Sequence, residues 1–217
     1  MKCVIHGSGG VGGYYGGCLA RAGHEVFFIA RGAHLEAIQQ QGLSIKSAKG
    51  DFRIETPKSG ERCDPNFCPN LVIVAVKSWQ LPEITKEIKN YCTPSTLILP
   101  LQNGADASDI LADTLGPERV LGGLTKIFSK IEAPGVINHF TGATYIGFGE
   151  YFQDPQFQNA PDSLSDRCRN LEKELDSTPG IDAEAFVDIQ KELWRKMMIF
   201  VSTSGVGTVS YTHLALP

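Results

Sequence analysis

No run in this 217-residue chain approaches the roughly 18 consecutive apolar residues that a bilayer-spanning helix needs. The start, MKCVIHGSGG, also lacks the apolar core of a secretory leader, because glycine begins at Gly7. Positive charge is not in excess. Twenty Lys and Arg stand against 24 Asp and Glu, for a net charge of −4 and a pI of about 5.7. That balance argues against a general nucleic-acid or anionic-membrane surface, though it leaves room for a local basic site that takes one small anion. The six cysteines contain no CxxC pair, and Cys63 and Cys68 have the wrong spacing for a zinc knuckle, so no metal site is expected. Cys3 and Cys18 lie in apolar or glycine-rich segments. Reduced thiols in a cytoplasmic protein are the expectation. Internal repeats and low-complexity runs are absent.

Glycine, by contrast, is abundant. Residues 7–17 read GSGGVGGYYGG, directly behind the apolar run CVI. Glycine costs conformational entropy and packs no side chain, so this density calls for a reason. Gly7, Gly9 and Gly12 form G-x-G-x-x-G. The loop follows a short apolar strand and opens a helix, which is the context that a dinucleotide fingerprint requires. Gly7 permits the tight turn, Gly9 lets a pyrophosphate approach the backbone, and Gly12 lets helix and strand pack closely. Gly10 and Val11 lie within the same loop and are read as cofactor-binding with it. The helix N-terminus offers unpaired N–H groups and a positive dipole end to the phosphates. A glycine-rich packing turn without a ligand is the competing reading.

The remaining pattern alternates strands with helices. EVFFIAR, NLVIVAVKS and STLILPLQNG are strands, and their continuous apolar runs suit a parallel sheet covered on both faces. AHLEAIQQQG, LPEITKEIKNYC and ASDILADTLG are helices. LSIKSAKGDFRIE reads as a small antiparallel hairpin, and RVLGGLTKIFSKI and NHFTGATYIGFGE as later strands that suit antiparallel pairing. SLSDRCRNLEKELDST is an amphipathic helix and IDAEAF a last short strand. YFQDPQFQNAPDS is the most flexible-looking loop. From Asp188 the pattern turns helical, and Met197 to Val201 read as a buried helix. The fold class is therefore α/β: a Rossmann-type doubly wound sheet over residues 1–187, then the first helix of an all-α domain over 188–217.

Ligands in such sheets bind at the carboxyl ends of the strands. The glycine loop, Arg31, Lys77 and Asn103 all follow the end of a predicted parallel strand. Arg31, 19 residues after Gly12, stands where NAD-preferring proteins carry an acidic group for the ribose 2′-OH. A guanidinium accepts no such bond but pairs well with a 2′-phosphate, which points to NADP(H). Lys77 suits an anion near the nicotinamide, with a solvated lysine as the alternative. Asn103 suits a carbonyl or anion, with an Asx turn before Gly104 as the alternative. Spacing alone reads Lys196 as a surface partner of Glu192, four residues earlier on one helix face.

GSGGVGG, Ala30-Arg31-Gly32, VKSWQ at 76–80, LQNG at 101–104 and ELWRK at 192–196 occur in the order and spacing of ketopantoate reductases. From Met1 to about Ser210 the chain resembles that family, and LQNG and LWRK are far more specific than the glycine motif. The resemblance implies NADPH-dependent reduction of a 2-oxo acid, 2-dehydropantoate or similar, to the 2-hydroxy acid. It implies Lys196 as general acid and Asn103 as a group that holds cofactor and substrate. Lys77 then lies near both, and Arg31 meets the 2′-phosphate. Family members are longer, with a helical C-terminal domain, so the resemblance implies a C-terminally truncated chain; the tail SYTHLALP does not resemble them. Many members carry asparagines four and eight residues after the lysine, where this chain has Phe200 and Ser204. That difference implies a pocket that is more apolar or differently shaped. Two other readings remain at this point. One is a different Rossmann dehydrogenase, of 3-hydroxyacyl-CoA or 6-phosphogluconate type, against which the LQNG and LWRK spacing argues. The other is a dinucleotide-binding module without catalysis, whose signature is NADPH binding without turnover.

Overall fold

The structure, a computed structural model, describes residues 1–151 and 163–214. Most of the loop YFQDPQFQNAPDS lies outside the described residues. Five strands form a fully parallel sheet: β1 (Lys2–His6), β2 (Glu25–Ile29), β5 (Lys58–Gly60), β6 (Leu71–Val74) and β7 (Leu97–Pro100). Their spatial order is β5-β2-β1-β6-β7. Chain direction across the sheet reverses at β1, with β2 on one side and β6 on the other. That is a topological switch point, where a crevice opens at the carboxyl ends. β5 is the strand that the sequence pattern does not reveal. KSG is three polar or small residues on a sheet edge, with no apolar signature.

Alternation along the strands divides the covering helices. Cys3 and Ile5 of β1 pack with α1 (Gly10–Arg21) and α2 (Gly32–Gln41). Val4, Val72, Val74 and Ile98 pack on the opposite face with α3 (Leu81–Lys89) and α4 (Ala107–Leu115). Period-two side-chain direction turns one apolar run into two buried faces.

A second sheet holds β3 (Leu43–Ser47), β4 (Phe52–Ile54), β8 (Leu121–Ala133), β9 (Val136–Glu150) and β10 (Asp182–Phe186). β3 and β4 pair antiparallel, as LSIKSAKGDFRIE led one to expect. β8 and β9 form a long antiparallel hairpin that turns at Gly135. β9 pairs in parallel with β3 at one end and with β10 at the other. α5 (Asp166–Asp176) covers this part, with Cys168, Leu171 and Leu175 buried.

Helix α1 lies between the two sheets. Eight consecutive residues, Gly12 to Leu19, are buried. A methyl group at Gly16 would meet Ile5 and Phe28 of the first sheet, at 2.6 Å each. At Gly13 it would meet Ile137 of the second at 2.8 Å. The glycines beyond the loop therefore allow two sheets to close on one helix. Both sheets share one apolar cluster through it, with Ile5 and Phe28 joined to Ile45, Ile146 and Phe148.

The Tyr15 hydroxyl donates to Thr125 Oγ1 (2.5 Å), whose own proton goes to the Tyr145 carbonyl (2.9 Å), which ties α1 to the hairpin. Tyr15→Phe is expected to lower stability by about 1–2 kcal/mol, read as a lower urea midpoint at unchanged slope.

α6 (Ile189–Leu214) starts on β8, where Ile189 and Leu193 pack against Leu124. Expected burial of Met197 to Val201 is not observed: Met198, Ile199 and Val201 are about 60% exposed. Among the described residues, Ile189 and Leu193 in the first turns of α6 pack on the sheet, while Met198, Ile199 and Val201 lie beyond that cover. Among the described residues no helix is long and apolar enough to cross a membrane.

Candidate active site

The glycine loop crosses the carboxyl edge of the first sheet between β1 and β6. Gly7 has φ of +102°, a backbone conformation that L side chains rarely adopt, and a Cβ there would lie 2.9 Å from the Ala75 and Val76 backbone. A Cβ at Gly12 would sit well inside van der Waals contact of the Gly7 carbonyl, and 2.8 Å from Ile5. At Gly10 it would lie 2.5 Å from the Ser129 carbonyl of β8, so the hairpin roofs the loop. Gly9 differs from its neighbours. Nothing lies within 4 Å of its added Cβ, and it lines two adjoining cavities. Of the loop glycines, Gly9 is the one with open space at its Cβ position. No side chain caps the α1 N-terminus, and its first turn carries no acidic residue. Its leading N–H groups thus suit an anionic group such as a pyrophosphate.

The smaller cavity, about 280 Å³, runs from Gly7 to the end of β2. Arg31 borders it at the N-cap position of α2, half exposed. Its guanidinium faces Glu87 at 3.9 Å and Glu83 at 4.0 Å, both on α3. His34 borders the same cavity. Its Nδ1 accepts from the Gly135 N–H (3.0 Å), so the neutral ring carries its proton on Nε2 and donates to the Ser8 carbonyl (2.8 Å). One imidazole therefore joins the glycine loop to the β8–β9 turn. Burial holds it below the ordinary histidine value, which keeps this neutral form. Beneath the loop, His6 is pushed down to about 4, first by burial and then by Arg31.

The larger cleft, about 1040 Å³, extends from Gly9, Gly10 and Val11 to β8 and the start of α6. Lys77 is exposed and lines both cavities. Gln102 is buried, and its Nε2 donates to the Val74 and Val76 carbonyls (3.0 and 3.1 Å), which fixes the ends of β6 and β7 together. Next to it, Asn103 reaches into the cleft. Lys196 Nζ donates to Asn103 Oδ1 across 93 residues of sequence, at 3.0 Å. Burial, and then the charge of Lys126, push the Lys196 ammonium down to about 8. Glu192, the partner that helical spacing suggested for Lys196, is taken by Arg195 at 2.7 Å. Lys77, Asn103, Lys196 and the loop residues Gly9, Gly10 and Val11 thus face one cleft, and Arg31 lies at its narrower extension. The side chains of Phe200 and Ser204 lie outside the described residues.

Sequence reading missed His34, Gln102, Lys126 and Tyr145. His34 and Gln102 act through main-chain groups distant in sequence. Lys126 carries a readable sign, as a lone cation inside the apolar run LGGLTKIF, but it is silent about the face on which the lysine emerges.

The model of the family Ketopantoate reductase PanE/ApbA matches residues 3–151. The uncharacterized oxidoreductase YkpB of Bacillus subtilis is 31% identical over 213 residues, covering 96% of this chain and 65% of that protein. A 2-dehydropantoate 2-reductase of Nostoc sp. is 29% identical over 210 residues, covering 96% of this chain and 63% of that one. The crystal structure of 2-dehydropantoate 2-reductase from Porphyromonas gingivalis W83 superposes with a TM-score of 0.83 at 29% identity, covering 98% of this chain and 72% of that chain. The chain thus spans a little under two thirds of the length of the first two relatives. By its sequence and by its fold, this chain belongs to the PanE/ApbA ketopantoate reductase family.

Proposed function

We propose that this chain carries the cofactor site and the acid of a reductase that uses NADPH to convert a 2-oxo acid, 2-dehydropantoate or a close analogue, to the 2-hydroxy acid. In this reading residues 1–187 form the dinucleotide-binding unit and 188–217 the first helix of a helical domain. The observation that carries the reading is the 3.0 Å bond between Lys196 and Asn103, in a cleft continuous with the glycine loop. Gly7, Gly9, Gly10, Val11 and Gly12 would hold the pyrophosphate, Arg31 the 2′-phosphate, and Lys77 and Asn103 the nicotinamide end. When bound, the nicotinamide supplies the hydride.

This chain's own residues supply the rest. As the ketone carbon is reduced, negative charge grows on its oxygen. The Lys196 ammonium stabilises that charge and then gives up its proton to the oxygen. A value near 8 makes Lys196 a better donor than an ordinary lysine while leaving it largely protonated at neutral pH. Asn103 accepts from Nζ and so aims the ammonium, with its own amide N–H groups left to orient the substrate.

Titration with NADPH and NADH, followed by Trp79 and Trp194 fluorescence, tests the cofactor half. The chain is expected to bind NADPH more tightly. Arg31→Ala is expected to weaken NADPH about tenfold or more, as loss of a charge-assisted contact would, and to leave NADH unchanged. Equal affinity for the two dinucleotides in the parent chain would instead mean that Glu83 and Glu87 keep the guanidinium for themselves.

A further inference from the structure

We propose that Lys126 is a specificity-determining residue of the cleft, one that anchors the carboxylate of the bound 2-oxo acid beside Lys196. The proposal rests on the reductase reading above and adds a residue and a role to it. Lys126 lines the cleft from β8, and Lys196 lines it from α6. Among the described residues Lys126 makes no ion pair. Its ammonium stands over the Tyr145 ring, 5.1 Å from the centroid.

That position is fixed rather than incidental. Lys126 and Tyr145 are direct cross-strand partners in the β8–β9 register. The Tyr145 hydroxyl donates to Glu184 Oε2 at 2.6 Å, and the Tyr145 carbonyl accepts from Thr125 Oγ1 at 2.9 Å. A ring held at both ends is a rigid platform for a cation. Among the described residues, the other charges facing the cleft are Lys77, Lys130, Arg195 and Glu192. Arg195 and Glu192 neutralise each other at 2.7 Å. Among the described residues no carboxylate on the cleft wall pairs with Lys77, Lys126 or Lys130.

Two ammonium groups that face one cleft repel, and the depressed Lys196 value records that repulsion after burial. An anion bound beside both relieves it. The substrate class fits this need, because a 2-oxo acid carries its carboxylate on the carbon next to the ketone. With the ketone oxygen at Lys196, the acid group needs a second cation a short distance away. Lys126 is that cation, and the Tyr145 ring keeps it from collapsing onto a neighbour.

The test uses the chain as given, loaded with NADP⁺, and 2-oxobutanoate as probe. Methyl 2-oxobutanoate, the same ketone without the charge, is the control. Lys126→Met is expected to weaken 2-oxobutanoate about tenfold or more and to leave the ester and NADPH within about twofold. Lys126→Arg is expected to restore the acid affinity. In parallel, the pH dependence of Lys196 acetylation, read by mass spectrometry, gives its titration midpoint without any substrate. Lys126→Met is expected to move that midpoint upward. An unmoved midpoint, or a loss that falls on NADPH, overturns the proposal, and the second result would make Lys126 a dinucleotide contact. If 2-oxobutanoate binds and Lys126→Met leaves it unchanged, the carboxylate assignment alone falls. If the midpoint moves but the parent chain takes up no 2-oxo acid, the reductase reading falls and the assignment goes with it.

Discussion

Gly12→Ala is expected to destabilise the chain by about 3 kcal/mol and to abolish dinucleotide binding at concentrations that saturate the parent. The added methyl group would collide with the Gly7 carbonyl, a backbone atom of the tight turn, and with Ile5 at 2.8 Å. Neither can move alone. Gly7 is itself confined by the Ala75 and Val76 backbone, and Ile5 is fully buried at the centre of the sheet. Alanine also improves intrinsic helix propensity by about 1 kcal/mol, which is too little to offset the collision. Gly9→Ala is the informative contrast. No atom lies within 4 Å of its Cβ, so urea unfolding is expected to match the parent while dinucleotide affinity falls. Parent-like affinity in Gly9→Ala would show that no ligand backbone passes that point.

Lys196→Ala is expected to lower kcat for 2-oxo acid reduction by roughly 10²–10⁴-fold, with NADPH affinity unchanged. The pH profile gives a sharper test than the rate alone. In the proposed role the ammonium must be protonated, so reduction should decline as pH rises through about 8. An unperturbed lysine would hold its rate to about 10. In Lys196→Ala that alkaline limb should vanish from whatever turnover remains. The same shift has a consequence for stability, with its sign fixed by linkage. Between about 8 and the ordinary value of 10.5 the folded chain holds fewer protons at this site than the unfolded one. This residue's contribution to stability therefore rises with pH across that window. A profile flat to pH 10 would remove Lys196 from the role of acid.

The parallel sheet was legible because four of its five strands are largely apolar and three of its covering helices, α1, α2 and α4, end close to a glycine. Arg31, Lys77 and Asn103 could be placed on one rim because strand ends in such a sheet share an edge. The partnership of Lys196 with Asn103 was not legible from spacing. Helical periodicity offered Glu192, a neighbour within the same turn, while the partner found lies 93 residues away on another element. Resemblance to a known family implied a role at the substrate for each of them, but not the bond between them. β5 escaped notice because an edge strand of three residues buries too little to leave a pattern. The division of the remaining strands into a second sheet also escaped notice. Alternation announces a strand but not its neighbour, and β9 pairs with three different strands along its length.

The wedge formed by α1 bears on how the chain folds. GVGGYYGGCLAR is a poor helix former, with its glycines unfavourable by about 1 kcal/mol each relative to alanine. Such a segment holds no helix in isolation and draws its order from what encloses it. Since one wall is the first sheet and the other is the β3–β9 layer, neither layer can mature while the other is absent. The glycine-loop half and the hairpin half should then open as a single cooperative unit in native-state hydrogen exchange, with Ile5 and Ile146 released at the same free energy although 141 residues separate them.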